Sequence, residues 1–432
     1  MIEPKDITFE TRKYAKRNEG NFPQRIVAVL DKITDIKYGE NPNQHGAVYT
    51  TVAIFKGIPE LVQKVTCNGR FTSIEDILDL AECDQANAIA RISGAQWIRD
   101  DGKGKGGESG TNWMDVARGM DCLKWFEKPT VAIMKHNMLS GFATDTKGSS
   151  VPEVYRLARD ADRQSNMGGT VVFNRPVDMA TAHALYELKG KGQFFPDVIA
   201  APEFEQGTLG FIESSADFVR VAKYETLKPL PKFIGDDTHG MYSIKEMPGN
   251  LFLVQDIYLS SIRGPEDLTM RPMVREKNGT THTIETVPTP EQVRDLLTSW
   301  YINISGARSN GVVFVRDGVS VAIGAGQVER VGATQQAVIK GMQKAMDREG
   351  IDYDSLKGVM NYETLKDNPF KGAVCSSDAF FPFGDCIKLM GAKGVVAIIQ
   401  PYGSKRDAES IDAANALGIA MPATLERCFG HW

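Results

Sequence analysis

Thr130-Val131-Ala132-Ile133-Met134 runs without a break into Lys135-His136-Asn137. Five consecutive apolar or β-branched residues without polar alternation read as a strand covered on both faces, and the polar residues that follow mark a turn. The same signature recurs downstream. Gly311-Val312-Val313-Phe314-Val315 and Val319-Ser320-Val321-Ala322-Ile323 flank Arg316-Asp317-Gly318, a hairpin signal. Gly394-Val395-Val396-Ala397-Ile398-Ile399 runs into Gln400-Pro401-Tyr402-Gly403-Ser404. Helical periods alternate with these runs. One covers Asp115 to Trp125, with Val116, Met120 and Leu123 on one side. A second covers Ala333 to Met346, with Lys344 and Arg348 at its basic end. A third covers Asp407 to Leu417, closed by Gly418. Alternating strands and helices predict an α/β protein. The units 131–137 and 395–404 are alike enough to suggest copies of one ancestral unit. Residues 229–292, rich in Gly, Pro, Thr and charge, read as a connector between a first lobe (1–228) and a second (293–432).

The length of 432 residues suits two or three domains. A net charge of −5 with no block of like charge argues against a general nucleic-acid binder. No apolar run reaches the length of a membrane span, and the start, Met1-Ile2-Glu3-Pro4-Lys5-Asp6, lacks the apolar core of a secretory signal. Six scattered cysteines without a C-x-x-C fit reduced thiols in a cytoplasmic protein. Six dispersed histidines offer no zinc signature, so no metal site is expected. Residues 102–110, Gly-Lys-Gly-Lys-Gly-Gly-Glu-Ser-Gly, lack the P-loop pattern and read as a surface insertion.

Lys135-His136, at the end of a buried strand, offers a cation beside a base that titrates near neutrality. Ser377-Asp378-Ala379-Phe380-Phe381-Pro382-Phe383 has neither helical nor strand period, and reads either as a core loop or as an aromatic wall for a planar heterocycle. Gly324-Ala325-Gly326-Gln327 with Arg330 reads as a strand-to-helix turn or an anion-facing turn. Lys37-Tyr38-Gly39-Glu40-Asn41-Pro42 places a cation and a phenol beside a turn. Arg427-Cys428-Phe429-Gly430-His431-Trp432 reads as a docked tail. From the residues alone, the ligand class is a small, planar anion.

In this order, the Tyr38-Gly39-Glu40-Asn41-Pro42, Lys135-His136, Ile323-Gly324-Ala325-Gly326-Gln327 and Ser377–Phe383 motifs resemble the transformylase part of the purine-biosynthesis enzyme that formylates 5-aminoimidazole-4-carboxamide ribonucleotide (AICAR). The resemblance spans Lys37 to His431. It implies two cytidine-deaminase-like α/β/α lobes, 10-formyltetrahydrofolate as one-carbon donor, a homodimer sharing its active site, and a stand-alone transformylase without ring-closing activity. It implies a catalytic Lys135-His136 pair, with Asn310 near the reacting amine. It implies substrate contacts from Lys37, Tyr38, Gly39, Met167, Gly168, Asp197, Arg330, Phe380, Pro382, Phe383, Asp385, Arg427, Phe429 and His431. A monovalent cation such as K+ near the nucleotide belongs to the same resemblance, with no local motif for it. The chain departs from the family pattern at Lys37 (usually Arg), Met138-Leu139-Ser140, Met167 (usually Phe), Gly384 (commonly Arg) and Cys386 (commonly Asn). Other readings keep the acceptor but change the formyl donor, or make the protein a non-catalytic binder of purine precursors.

Overall fold

The computed structural model describes residues 3, 5–6, 27–36, 46–55, 96–99, 109–188, 195–225, 227–238, 241–248, 251–351 and 366–431. Ten strands among them build one mixed sheet: β1 (Gln96–Arg99), β2 (Thr130–Lys135), β3 (Met138–Thr144), β4 (Thr170–Phe173), β5 (Val198–Ala201), β6 (Arg220–Lys223), β7 (Val312–Arg316), β8 (Val319–Gly324), β9 (Val374–Ser377) and β10 (Ala397–Ile399). Their order is β10-β9-β7-β8-β3-β2-β4-β5-β6-β1. At the centre, β3 and β8 meet through the Val319–Ala143 pair and a hydrogen bond from Thr144 N to Gly318 O at 3.0 Å.

Outward from that seam the sheet repeats itself. On each side come a hairpin pair, an antiparallel neighbour, and then a parallel one: β3-β2-β4-β5 and β8-β7-β9-β10. The internal repeat therefore exists, but its members differ from the expected ones. The partner of 131–137 is the β7–β8 hairpin, whereas β10 corresponds to β5. Apolar composition is common to all these strands, and hydrogen-bonding direction, which separates them, leaves no mark on composition.

Buried runs imply cover on both faces, and alternation along each strand divides the cover. Ala132, Met134, Val313 and Val315 face a core shared with Trp125, Trp300 and Tyr301. This core holds α1 (Gly110–Leu123) and α3 (Pro290–Gly306). Val131 and Ile133 face α2 (Val151–Ala161), and Val312 and Phe314 face α4 (Arg330–Arg348). Helix α1 starts five residues before the predicted Asp115 because Ser109 caps it. The Ser109 hydroxyl accepts from Asn112 N at 3.3 Å, while Asn112 Oδ1 accepts from Ser109 N at 3.0 Å. Helix α4 begins at Arg330, which the sequence pattern alone places in the turn after Gly324-Ala325-Gly326-Gln327. The helix Asp407–Ala416 ends as predicted, with Gly418 at φ 66° and Ile419 N bonded to Ala414 O. Residues 229–292 carry the hairpin Tyr242–Met247/Leu251–Asp256 and the pair Pro272–Arg275/Thr281–Thr283, and they insert Ile262 and Leu268 into the Trp300 core. Among the described residues no helix is long and apolar enough to cross a membrane.

Strand β8 lies so close to α4 that a Cβ on Gly324 would sit 2.0 Å from Ala333 O. Backbone cannot yield there as a flexible side chain would. Gly324→Ala is expected to lower stability by about 1–3 kcal/mol through overpacking, read as a lower urea midpoint at unchanged m-value. An unchanged midpoint would show that this spacing is not fixed.

Candidate active site

The Lys135-His136 pair sits at the tip of the two-residue β2–β3 hairpin, at an antiparallel turn rather than at the carboxyl end of a parallel strand. Both turn residues are left-handed, His136 at φ 55° and Asn137 at φ 59°. A tight hairpin turn of this hand requires it. The exposed tip is tied down at three points. Lys135 Nζ donates to Met167 O at 2.8 Å, Arg118 Nε donates to Asn137 Oδ1 at 3.4 Å, and Asn137 N donates to Asp115 Oδ1 at 2.6 Å. The other oxygen of Asp115 accepts from Thr170 Oγ1 at 3.4 Å.

Asp115 was not among the residues singled out from the sequence. It lies buried on α1, and burial pushes its carboxyl up to about 6, against the opposing pull of the Asn137 N–H and the His136 charge. A carboxyl raised in the folded state adds stability only while it is protonated. Its contribution is therefore full below about pH 4 and lost as pH rises through about 6, a cost of roughly 3 kcal/mol for holding the anion at neutral pH. The sequence carried one signal for it, an aspartate between Trp113 and Val116 on an apolar helix face.

Around the tip the structure gathers several expected residues. Met167, 45% exposed, supplies the carbonyl that receives Lys135. Gly168 follows at φ 70°, and a Cβ there would lie 3.9 Å from the Asp197 carboxylate. Lys135 and His136 line a cleft of about 250 Å³ with Ser140, Ala325, Gln336 and Lys340. On the other side, Asn137 shares a cleft of about 480 Å³ with Arg118, Lys245, Tyr258, Phe429 and Gly430.

The remaining residues form a second group. Arg330 is buried and gives its guanidinium to Asp378, to Ser377 Oγ at 2.8 Å and to Asn310 Oδ1 at 2.7 Å. Asn310 Nδ2 donates to Gln327 O at 2.8 Å. Ser309 Oγ donates to Asp378 Oδ2 and accepts from Gly430 N at 3.1 Å, so the same network docks the C-terminal segment. Within the chain, Asn310 and Arg330 are thus engaged with protein partners, and neither lines the Lys135-His136 cleft.

The expected aromatic wall opposite that pair is not formed within one chain. Phe381 is fully buried in the core, Phe380 and Pro382 are half-buried, and Phe383 is exposed beneath the Arg406 guanidinium at 4.6 Å. Exposed Asp385 opens the helix Asp385–Ala392. Arg427 lies over the Phe429 ring at 4.7 Å, and Phe429 meets His431 edge-on at 5.6 Å. Phe380, Pro382, Phe383, Asp385, Arg427 and His431 line neither cleft at the tip. Lys37, Tyr38 and Gly39 lie outside the described residues. Among the described residues no group of three or more His, Cys, Asp or Glu could hold a metal ion.

Removing one partner of a buried ion pair strands the other. Arg330→Met is expected to cost about 3–5 kcal/mol, and Arg330→Lys to recover only part of it, because a single ammonium nitrogen lacks the planar fork whose two ends reach Asp378 with Ser377 and Asn310. Urea denaturation of both variants checks this, and near-wild-type stability of Arg330→Met would refute it.

Residues 85–340 match the model of the AICARFT/IMPCHase bienzyme family. The chain is 30% identical over 414 residues to the bifunctional purine biosynthesis protein PurH of Acetivibrio thermocellus, covering 96% of this chain and 62% of that protein. To the PurH of Caldicellulosiruptor saccharolyticus it is 28% identical over 447 residues, covering 99% and 69%. To that of Persephonella marina it is 30% identical over 411 residues, covering 95% and 62%. The chain thus spans about 62–69% of the length of these relatives. With the family model matching more than half of its residues, the chain belongs to the AICARFT/IMPCHase bienzyme family.

Proposed function

We propose that this protein transfers a formyl group from 10-formyltetrahydrofolate to the 5-amino group of AICAR, giving the formylated product (FAICAR) used in purine biosynthesis. The observation that carries the reading is the Lys135-His136 tip, anchored at three points and opening on a cleft, in a chain of this family.

The acceptor amine is a poor nucleophile, because its lone pair is delocalised into the imidazole and carboxamide. Its attack on the formyl carbon needs proton removal as the C–N bond forms. His136, exposed at the tip, takes that proton. The tetrahedral intermediate carries an oxyanion, which Lys135 stabilises from its position at the cleft. The bond from the formyl carbon to the folate N10 then breaks, and N10 receives a proton relayed from the imidazolium or from Lys135. The charge balance closes, since one proton leaves the amine and one reaches the leaving nitrogen.

The separation of the two residue groups within a chain supports a homodimer in which a second copy brings Asn310, Phe380, Phe383 and Arg427 toward this tip. The division into lobes 1–228 and 293–432 with a connector at 229–292 belongs to the same reading, as does a cytoplasmic location. A monovalent cation such as K+ is compatible with it.

Purified protein given AICAR and 10-formyltetrahydrofolate is expected to yield the formylated product, read by mass spectrometry. Formate with ATP in place of the folate is expected to yield none. His136→Ala should lower kcat by at least roughly 100-fold while AICAR binding persists by calorimetry. Turnover with formate and ATP alone would reassign the donor. AICAR binding without turnover on any donor would make the protein a binder of purine precursors, and near-normal kcat in His136→Ala would remove the assigned base.

A further inference from the structure

We propose that Asp115 is the positioning residue of the site, holding Lys135 and His136 in place through its ionised carboxylate, and that Asp295 is its counterpart under the repeated hairpin, without a part in the chemistry. The inference deepens the formyl-transfer reading and rests on it for the readout in turnover.

The two halves of the sheet supply the comparison. In the first, α1 carries Asp115 beneath the β2–β3 turn, and Oδ1 accepts from Asn137 N at 2.6 Å. In the second, α3 carries Asp295 beneath the β7–β8 turn, where Oδ2 accepts from Asp317 N at 2.7 Å and Oδ1 from Gly318 N at 3.0 Å. Both carboxylates are buried, 5% and 6% exposed. Both turns are left-handed at two successive residues, His136 and Asn137 at φ 55° and 59°, Asp317 and Gly318 at 54° and 78°. Two helices in corresponding places thus present the same group to the same backbone donors.

The turns differ in what they carry. The second has glycine at its second position, which reaches left-handed geometry freely. The first has Asn137 in that place and His136 before it, where the second has Asp317, and a side chain at each opposes the left-handed conformation that glycine adopts freely. A turn built only for stability would keep the glycine. At the β2–β3 tip the less favourable residues are retained and the carboxylate below secures them, which directs the Lys135 and His136 side chains toward the cleft.

The groups facing Asp115 are few. His136 and the Asn137 N–H come from the tip and Thr170 from β4, while Arg118 on α1 binds the Asn137 side chain and Lys135 is drawn to Met167 O. Burial brings the Asp115 carboxyl up to about 6, so mild acid converts one of its acceptors to a donor and loosens the tip.

The test uses the full chain, with Asp115→Asn and Asp295→Asn compared against wild type from about pH 5 to 8.5. Two readouts are taken, steady-state formyl transfer to AICAR, and the backbone amide resonance of Asn137 in protein labelled with 15N-asparagine. In wild type the amide is expected to titrate with a midpoint near 6, and in Asp115→Asn to lose that titration. Asp115→Asn should lower kcat roughly 10- to 100-fold, with KM for AICAR within about three-fold, because a displaced tip impairs the reacting geometry more than binding. Asp295→Asn should keep kcat within about two-fold of wild type. An Asn137 amide that does not titrate, kcat in Asp115→Asn within two-fold of wild type, or an equal loss in Asp295→Asn would each overturn the proposal. A wild-type protein without formyl transfer would sink the reaction assigned above, and the amide titration would still decide whether Asp115 holds the tip.

Discussion

A two-residue hairpin with both residues left-handed leaves backbone N–H groups pointing inward at the end of a buried sheet. Such donors must find acceptors or incur the cost of desolvation. Here the acceptor is a carboxylate sent from a helix on the covered face, once at Asp115 and once at Asp295. The arrangement of the rest follows from it. The helices must cross beneath the hairpin tips, and the tip residues become anchored although His136 stays exposed. The expense is an anion kept under protein, and its raised pKa measures that expense.

The same economy of burial explains why the second residue group is separate. Arg330 and Asp378 neutralise each other inside the protein and recruit Asn310, Ser309 and Ser377 to satisfy the remaining donors and acceptors. A fully paired buried network fixes geometry more than it adds stability. It organises the start of α4, the Ser309–Gly311 segment and the C-terminal tail around one point. Phe383 and Arg427, exposed on that assembly, line neither cleft at the Lys135-His136 tip of their own chain. A surface of that kind is what a second copy could use.

Some of this is legible in the sequence alone. Runs such as 130–134 and 312–315 lack polar alternation, and the structure buries both faces of them. Arg316-Asp317-Gly318 marked its hairpin through glycine, and Gly418 marked its helix end for the same conformational reason. The β2–β3 hairpin was read only as a strand end, because Lys135-His136-Asn137-Met138 has none of the glycine that usually betrays such a turn. The copies within the sheet were mispaired for a related cause, since strand composition reports burial and not direction.

What the sequence by itself determined is the buried strands at 130–134, 311–315, 319–323 and 394–399, the helices that begin near 110, 330 and 407, and the residue types able to do chemistry at neutral pH: the cation, the imidazole and the aromatics. Those follow from local periodicity and from side-chain chemistry, which neighbours in the chain suffice to express. Which of these groups meet was decided only in the tertiary structure. Asp115 comes under Asn137 from 22 residues away, and Arg330 reaches Asp378 across 48. Pairings over such separations depend on where the sheet order places each element, and short-range pattern carries no record of that order.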